Sequence, residues 1–149
     1  MTDVFRTTRR VAFRDTDAAG IIHFSAFFHY MEEVEHEFLR SLGLSVLARD
    51  EQGVVSWPRV AANCQFRGAV RFEDVLDVEL RLSRIGEKSV TYAFRFTHQG
   101  REVADGEITA VCCRMLQDAP PRSMPIPAEV LARLENRGER RKEKGESRS

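Results

Sequence analysis

The apolar residues between positions 24 and 42 recur with the spacing of one face of an α-helix. Spacings of three and four residues place side chains on the same side of a helix, so the pattern predicts an amphipathic helix from Phe24 to Leu42. Ser25 is placed to cap its start and Gly43 to end it. The apolar face is broad enough to need a sheet as its packing partner, and its members are Phe24, Phe27, Phe28, Met31, Val34, Phe38, Leu39 and Leu42.

Most of the remaining chain alternates apolar and polar positions, as half-buried strands do. The clearest alternation runs from Leu76 to Leu82 and from Val90 to Thr97. The other predicted segments are a strand at Thr8–Phe13, an extended stretch at Val54–Phe66 with an edge or a bulge at Pro58, a hairpin turn at Gln99-Gly100, a strand at Val103–Met115 and a short helix at Ala128–Leu134. A strand, a long helix and about four successive antiparallel strands predict an α+β domain.

Length and composition indicate one globular domain with a separate tail. The chain has 149 residues, of which 42% are hydrophobic and 31% charged. We expect the domain to occupy residues 1–135. Residues 136–149 contain six basic and three acidic side chains and no aliphatic or aromatic one, which predicts a disordered tail of net charge +3. Such a tail favours solubility, and contact with RNA or acidic lipid is the alternative.

The overall charge and the cysteines limit which partners and which cellular compartment the sequence favours. A formal net charge of zero gives no general argument for binding nucleic acid or an anionic membrane. No apolar run approaches the roughly 20 residues of a membrane span, and the first residues lack the apolar core of a signal peptide. Three cysteines without a C-x-x-C pair are typical of reduced thiols in the cytoplasm.

The run D-T-D-A-A-G-I-I-H-F-S, from Asp15 to Ser25, holds the most informative chemistry. It places two carboxylates, a glycine turn and a histidine directly before the long helix. Unpaired N–H groups at a helix start can polarise a carbonyl group, and a nearby carboxylate can attack it or activate water. Asp, Gly and Ser are also ordinary turn and cap residues, so a capped turn is the alternative interpretation.

This run, with F-F-H-Y-M-E-E at Phe27–Glu33, resembles the 4-hydroxybenzoyl-CoA thioesterase family of acyl-CoA thioesterases. Looser similarity includes P-R-V at Pro58–Val60, C-Q-F at Cys64–Phe66 and R-F-E-D-V-L at Arg71–Leu76, and it extends over residues 8–130. The resemblance implies the hotdog fold, in which an antiparallel sheet wraps around one long central helix. The predicted order of elements fits that architecture.

The resemblance separates the two aspartates of the run. It implies that Asp17 is the catalytic carboxylate, which either attacks the thioester or activates water. It also places the oxyanion donor at the backbone N–H of Phe24, with Gly20 shaping the turn. Asp15 is then a turn residue.

The histidines receive no clear role from the resemblance. His23 can donate a proton to the leaving thiolate or hold a water, and it can equally fill the mouth of the site. For His29, His36 and His98 we expect surface positions. Four scattered histidines without a carboxylate at metal-ligand spacing argue against a metal site. Glu32 and Glu33 are secondary catalytic candidates, although a solvated helix face explains them better.

Substrate-binding residues are also implied by the resemblance. Lys88 and Ser89 match positions near the nucleotide of coenzyme A, but Gly86-Glu87 stand where relatives often carry two arginines. Arg67, Arg71 or Arg84 are possible replacements. The stretch Trp57, Pro58 and Arg59 matches a border of the acyl pocket, and core packing is the alternative for Trp57.

These observations predict an acyl-CoA thioesterase that releases a free acid and coenzyme A. It would need no cofactor, because coenzyme A is part of the substrate. An isolated subunit would leave a sheet edge and one side of its pocket open, so we expect a homodimer or a homotetramer of two dimers. The alternatives are a hotdog dehydratase or hydratase acting on acyl-CoA, and a non-catalytic acyl-binding protein.

Overall fold

The computed structural model describes residues 3–136, so the predicted tail lies outside the described residues except for Asn136. In chain order the elements are β1 (Phe5–Arg10), a 3₁₀ turn (Phe13–Asp15), α1 (Ala26–Ser41), β2 (Leu47–Asp50), β3 (Gly53–Ser56), β4 (Arg59–Phe66), β5 (Val75–Ile85), β6 (Ser89–His98), β7 (Arg101–Val111), β8 (Cys113–Arg114), β9 (Arg122–Ser123) and α2 (Ala128–Glu135). The predicted α+β class is confirmed.

Five long strands form an antiparallel sheet in the order β1-β5-β6-β7-β4, and the short strands form a second sheet in the order β2-β3-β8-β9. Helix α1 packs its apolar face on the five-stranded sheet. Its aromatic rings meet those of the strands edge to face, with centroids 5.3 Å apart for Phe27 and Phe96 and 6.1 Å apart for Phe38 and Tyr92. The alternating inward residues of β5 and β6 complete this core.

Two predicted turns are confirmed by their backbone angles. Gln99 and Gly100 have φ values of 51° and 80°, the left-handed pair that matches the twist of a two-residue hairpin between β6 and β7. Gly43 follows the last turn of α1 with φ at 74°, a conformation that favours glycine at a helix end. Both turns depend on the conformation of one or two neighbouring residues, which explains why the sequence alone predicted them.

Several predicted boundaries were wrong. The first strand ends at Arg10, because the chain turns inward at the fully buried Val11, and Phe13 lies 75% exposed in the 3₁₀ turn. The extended stretch Val54–Phe66 is two strands in different sheets, separated at Trp57-Pro58. Strand β2 was not predicted, since its four residues are all exposed and show no alternation.

The start of α1 also differs from the prediction. The helix begins at Ala26, and Phe24 is 60% exposed instead of lying on the buried face. Ser25 occupies the cap position, but its side chain makes no cap hydrogen bond. Its hydroxyl lies 2.8 Å from His23 Nδ1.

Gly106 lets the neighbouring strand β4 and the helix α1 both pack closely against β7. A Cβ at this position would overlap the carbonyl oxygen of Asn63 and lie 3.0 Å from Met31 Sδ. Since a backbone oxygen cannot rotate away, we expect Gly106→Ala to lower the free energy of unfolding by about 1–3 kcal/mol, measured by urea denaturation. The matched control is Glu107→Ala at the next, exposed position, for which a change within about 0.5 kcal/mol is expected. Equal values for the two variants would contradict this packing argument.

Candidate active site

The loop that carries Asp17 is a tight, doubly anchored turn. Thr16 and Ile22 form an antiparallel bridge across it, and Ile21 bridges to Arg71 in the loop before β5. Within the turn, the N–H of Asp17 donates to the carbonyl of Ile21 at 2.9 Å. Gly20 adopts φ at 82°, a backbone conformation that favours glycine. The predicted part of Gly20 in shaping this turn agrees with that angle.

The two carboxylate oxygens of Asp17 have different surroundings. Oδ1 accepts hydrogen bonds from the N–H groups of Ala19 at 2.9 Å and Ile21 at 3.4 Å. Oδ2 makes no hydrogen bond to another described residue, and the side chain is half-buried. Asp17 therefore holds its own turn together with one oxygen and leaves the other without a bond to another described residue. The turn interpretation describes Oδ1, and the catalytic role of Asp17 stays a prediction.

Asp15 is engaged on both its backbone and its side chain. Its Oδ2 accepts a hydrogen bond of 2.7 Å from the hydroxyl of the buried Tyr30, and its carbonyl accepts the N–H of His23. Burial raises the pKa of the Tyr30 hydroxyl, and the Asp15 carboxylate raises it further, so Tyr30 stays protonated as the donor. This arrangement ties the loop to α1, in agreement with a structural part for Asp15.

His23 and Phe24 connect the loop to the helix. The ring of His23 stacks on that of Phe24 with centroids 4.5 Å apart, and His23 Nδ1 interacts with both the hydroxyl and the N–H of Ser25. The backbone N–H of Phe24 donates to no acceptor among the described residues, as the predicted oxyanion donor requires. The Phe24 ring meets Phe66, at the end of β4, with centroids 6.3 Å apart.

A polar groove of about 590 Å³ lies beside the loop, on the side of β1. Its walls include Asp15, His23 and Tyr30, while Asp17 does not line it. Because Phe24 contacts Phe66, the loop also adjoins the end of β4, the edge strand of the five-stranded sheet. The groove and the β4 edge are therefore two different approaches to the loop.

The predicted substrate-binding residues lie at the other end of the sheet. The Asp17 loop adjoins the start of β5, because Ile21 bridges to Arg71, four residues before Val75. Lys88 and Ser89 follow the end of β5, roughly 30 Å away along an 11-residue strand. Arg59 is close to them, because it pairs with Ala110 while Ser89 pairs with Val111. A single chain does not bring the two groups of predicted residues together.

Trp57, Pro58 and Arg59 form the crossing between the two sheets. The Pro58 carbonyl accepts the N–H of Val111 at 3.0 Å, and Arg59 Nη1 donates to the Trp57 carbonyl at 3.0 Å. Trp57 packs partly buried against the core. Lys88 is exposed, and its carbonyl accepts the N–H of Cys112.

Sequence reasoning missed Glu35, a buried carboxyl on α1. It is 1% exposed, its Oε1 accepts a hydrogen bond from Arg59 Nη2, and its Oε2 has no partner among the described residues. Burial raises the pKa of Glu35 to about 7, although the Arg59 guanidinium acts in the opposite direction. The signal was in the sequence, since Glu35 follows Met31 by four residues on the apolar face.

The remaining candidates take ordinary positions. His29 is exposed as predicted, whereas His36 and His98 are half-buried, which corrects their predicted surface placement; burial lowers the pKa of His36. Glu33 binds Arg9 at 3.0 Å, and Glu32 lies 3.9 Å from Arg59. Residues 3–136 contain no group of three or more side chains that could hold a metal ion, and the absence of a metal stays a prediction. None of the helices in that range has the length and apolar character to cross a membrane.

Comparisons with known proteins agree with this architecture. A sequence model of the thioesterase-like superfamily matches residues 11–134. A 1,4-dihydroxy-2-naphthoyl-CoA hydrolase of Synechococcus sp. (strain WH7803) is 32% identical over 113 residues, covering 71% of this chain and 74% of the relative. A gentisyl-coenzyme A thioesterase structure superposes with a TM-score of 0.73 at 29% identity, covering 89% of this chain and 99% of that one.

Two further relatives support the fold. The structure of a 1,4-dihydroxy-2-naphthoyl-CoA thioesterase from Synechocystis has a TM-score of 0.77 at 22% identity, covering 89% of this chain and 96% of that one. A 4-hydroxybenzoyl-CoA thioesterase structure has a TM-score of 0.74 at 18% identity, with 88% and 98% covered. The family match spans the loop, the helix and both sheets, so the chain belongs to the thioesterase-like superfamily of hotdog-fold proteins.

Proposed function

We propose that this protein hydrolyses acyl-CoA or aroyl-CoA thioesters to the free acid and coenzyme A. The observation that carries the proposal is the half-buried Asp17, which lies in the loop directly before α1. Its Oδ2 accepts no hydrogen bond from another described residue. The backbone N–H of Phe24, in the same loop, donates no hydrogen bond to another described residue. The relatives named above as naphthoyl-CoA and gentisyl-CoA hydrolases support an aromatic acyl group.

The proposed reaction needs only water and the thioester. Asp17 Oδ2 either removes a proton from a water that attacks the carbonyl carbon, or attacks that carbon itself to give an anhydride that water then opens. Negative charge develops on the carbonyl oxygen, where the Phe24 N–H would stabilise it; one such donor is typically worth ~10²–10³ in rate. The carbon–sulfur bond breaks, and coenzyme A leaves as a thiolate that His23 can protonate. No cofactor takes part.

The edge of β4 supports a site built from two chains. This strand ends the five-stranded sheet, and along it Val60 is 62% and Phe66 is 52% exposed. Antiparallel pairing with a second copy would set the Phe66 end of one β4 beside the Arg59 end of the other. Since Phe24 contacts Phe66, the Asp17 loop of one chain would then face Arg59 and its neighbours in the second.

The proposed pairing would bring together the Asp17 loop and the predicted substrate-binding residues, which lie far apart within a single chain. The proposed assembly is therefore a homodimer that brings the catalytic residues of one chain to the binding residues Trp57, Lys88 and Ser89 of the other. Two such dimers can associate further into a tetramer. The proposed location is the cytoplasm, where the unpaired thiols of Cys64, Cys112 and Cys113 stay reduced.

The activity is tested by thiol release, followed with a chromogenic disulfide, from a panel of thioesters. The panel contains benzoyl-, 4-hydroxybenzoyl- and 1,4-dihydroxy-2-naphthoyl-CoA, with hexanoyl-, decanoyl- and crotonyl-CoA as alkyl counterparts. We expect turnover well above the spontaneous rate, with the aromatic thioesters preferred. Hydration of crotonyl-CoA without thiol release would favour a hydratase, and tight binding without any reaction would favour an acyl-binding protein.

The two-chain site is tested by mixing inactive variants. If Asp17 and Arg59 of different chains share one site, Asp17→Asn and Arg59→Ala chains refolded together should regain part of the wild-type activity. The matched control is each variant refolded alone, which should stay inactive. Light scattering of Val60→Asp, which places a charge in the proposed interface, should show a smaller assembly than the wild type. Absence of complementation together with an unchanged mass would contradict this arrangement.

A further inference from the structure

A second cavity lies at the opposite end of α1 from the Asp17 loop. It encloses about 440 Å³ between the last turn of α1, the β2-β3 hairpin and α2, and it shares no lining residue with the groove beside β1. This volume is within the range of small-molecule sites. Its apolar walls are formed by Leu39, Leu44, Val55, Trp57, Tyr92, Pro127, Val130 and Leu134.

One wall of the cavity carries a tyrosine hydroxyl group that no other described residue bonds. Tyr92 is 2% exposed, and its hydroxyl makes no hydrogen bond to another described residue. Because no described protein group bonds this hydroxyl, it is free to exchange a hydrogen bond with water for one with a polar atom of a bound molecule. Trp57 provides a flat apolar surface in the same cavity. Together they suit a ring that bears a polar substituent.

The rim of the cavity carries one arginine that forms no ion pair with a described residue. Both carboxylate oxygens of Asp50 accept hydrogen bonds from Arg114, at 2.6 and 2.9 Å. Glu129 is paired with Arg133 at 2.9 Å. The exposed Arg49 lines the same rim and has no ionic partner among residues 3–136. An anionic group is therefore favoured at the mouth, while apolar surface lies inside.

We propose that this cavity binds an aromatic carboxylate. The carboxylate lies at the rim near Arg49, the ring packs against Trp57, and a polar substituent at the far end of the ring bonds the Tyr92 hydroxyl. A two-ring acid such as 6-hydroxy-2-naphthoate has these three features. The inference shares Trp57 with the proposed acyl-CoA site, but its ligand carries no thioester and the Asp17 loop takes no part in the binding.

Calorimetric titration of the full chain tests the site with three related probes. We expect one 6-hydroxy-2-naphthoate per chain. Tyr92→Phe should weaken its binding about 2- to 10-fold and leave 2-naphthoate, which lacks the hydroxyl, unchanged. Arg49→Gln should weaken both acids about 2- to 5-fold but not 6-hydroxy-2-naphthamide. The matched control is Arg84→Gln, an exposed arginine that does not line the cavity.

A filled cavity gives the decisive comparison. Ala48 is exposed on β2 and lines the cavity, so Ala48→Phe should reduce binding more than tenfold while circular dichroism shows an unchanged fold. Equal affinity of Ala48→Phe and wild type, or a Tyr92→Phe loss that is the same for both acids, would overturn the proposal. So would the absence of binding by any probe. Asp17→Asn should bind the probes like wild type, which keeps this result separate from any failure of hydrolysis.

Discussion

Asp17→Asn is expected to lower kcat for thiol release by about 10²–10⁴-fold, the range associated with loss of a general base. The asparagine oxygen can still accept the N–H groups of Ala19 and Ile21, so the loop should keep its shape. The amide nitrogen replaces Oδ2 and can neither remove a proton from water nor attack a carbonyl. Steady-state kinetics with the best thioester of the panel measure the effect, with the KM changing little.

Asp15→Asn is the matched control, because it changes the other carboxylate of the same run. This substitution weakens the bond from Tyr30, so we expect a loss of stability and a smaller loss of turnover. The free energy of unfolding should be nearly unchanged for Asp17→Asn and reduced by about 1 kcal/mol for Asp15→Asn. If the Asp17 variant kept full turnover while the Asp15 variant lost it, the catalytic carboxylate would be Asp15.

Glu35 is expected to make the protein less stable as the pH rises from 5 to 8. Burial raises its pKa from 4.5 to about 7 in the folded chain, so the folded state holds this proton more tightly than the unfolded state. The stabilisation is complete below the unfolded pKa and is lost as the pH rises through the folded pKa. The shift corresponds to at most about 3 kcal/mol.

Urea denaturation of wild type and Glu35→Gln at several pH values isolates this contribution. The glutamine keeps an oxygen for Arg59 but does not titrate, and the other ionisable groups, including His36 with its lowered pKa, are common to both proteins. The difference in unfolding free energy should therefore shift in favour of the variant as the pH rises from about 4.5 to about 7, and stay constant above that. A difference that is independent of pH would mean that Glu35 is ionised throughout this range.

The sequence located what depends on local rules. The spacing of apolar residues predicted α1, and alternation predicted β5 and β6. The positions of the glycines predicted the turn at Gln99-Gly100 and the helix end at Gly43, where the backbone is left-handed. It missed β2 and the division at Trp57-Pro58, because the choice between two sheets depends on contacts far along the chain. It also placed Phe24 on the buried face, since a periodic pattern does not reveal where the first helical turn begins.

The candidate site divides in the same way. The residues of the Asp17 loop are neighbours in sequence, so their chemistry was visible in one short run. The distance between that loop and Lys88 was not, because it depends on the length and direction of β5. Glu35 was not among the predicted residues, although its position four residues after Met31 put it on the packed face.

The open edge of β4 also has a consequence for handling the protein. A strand of eight residues with exposed apolar side chains and unpaired backbone groups attracts any other extended chain, including a partly unfolded copy. If a second native copy covers this edge, the thermal midpoint will rise with protein concentration, as mass action requires. Dilute samples would then uncover this edge at the lowest temperature, and the strand that completes the assembly would also be the one that nucleates aggregation.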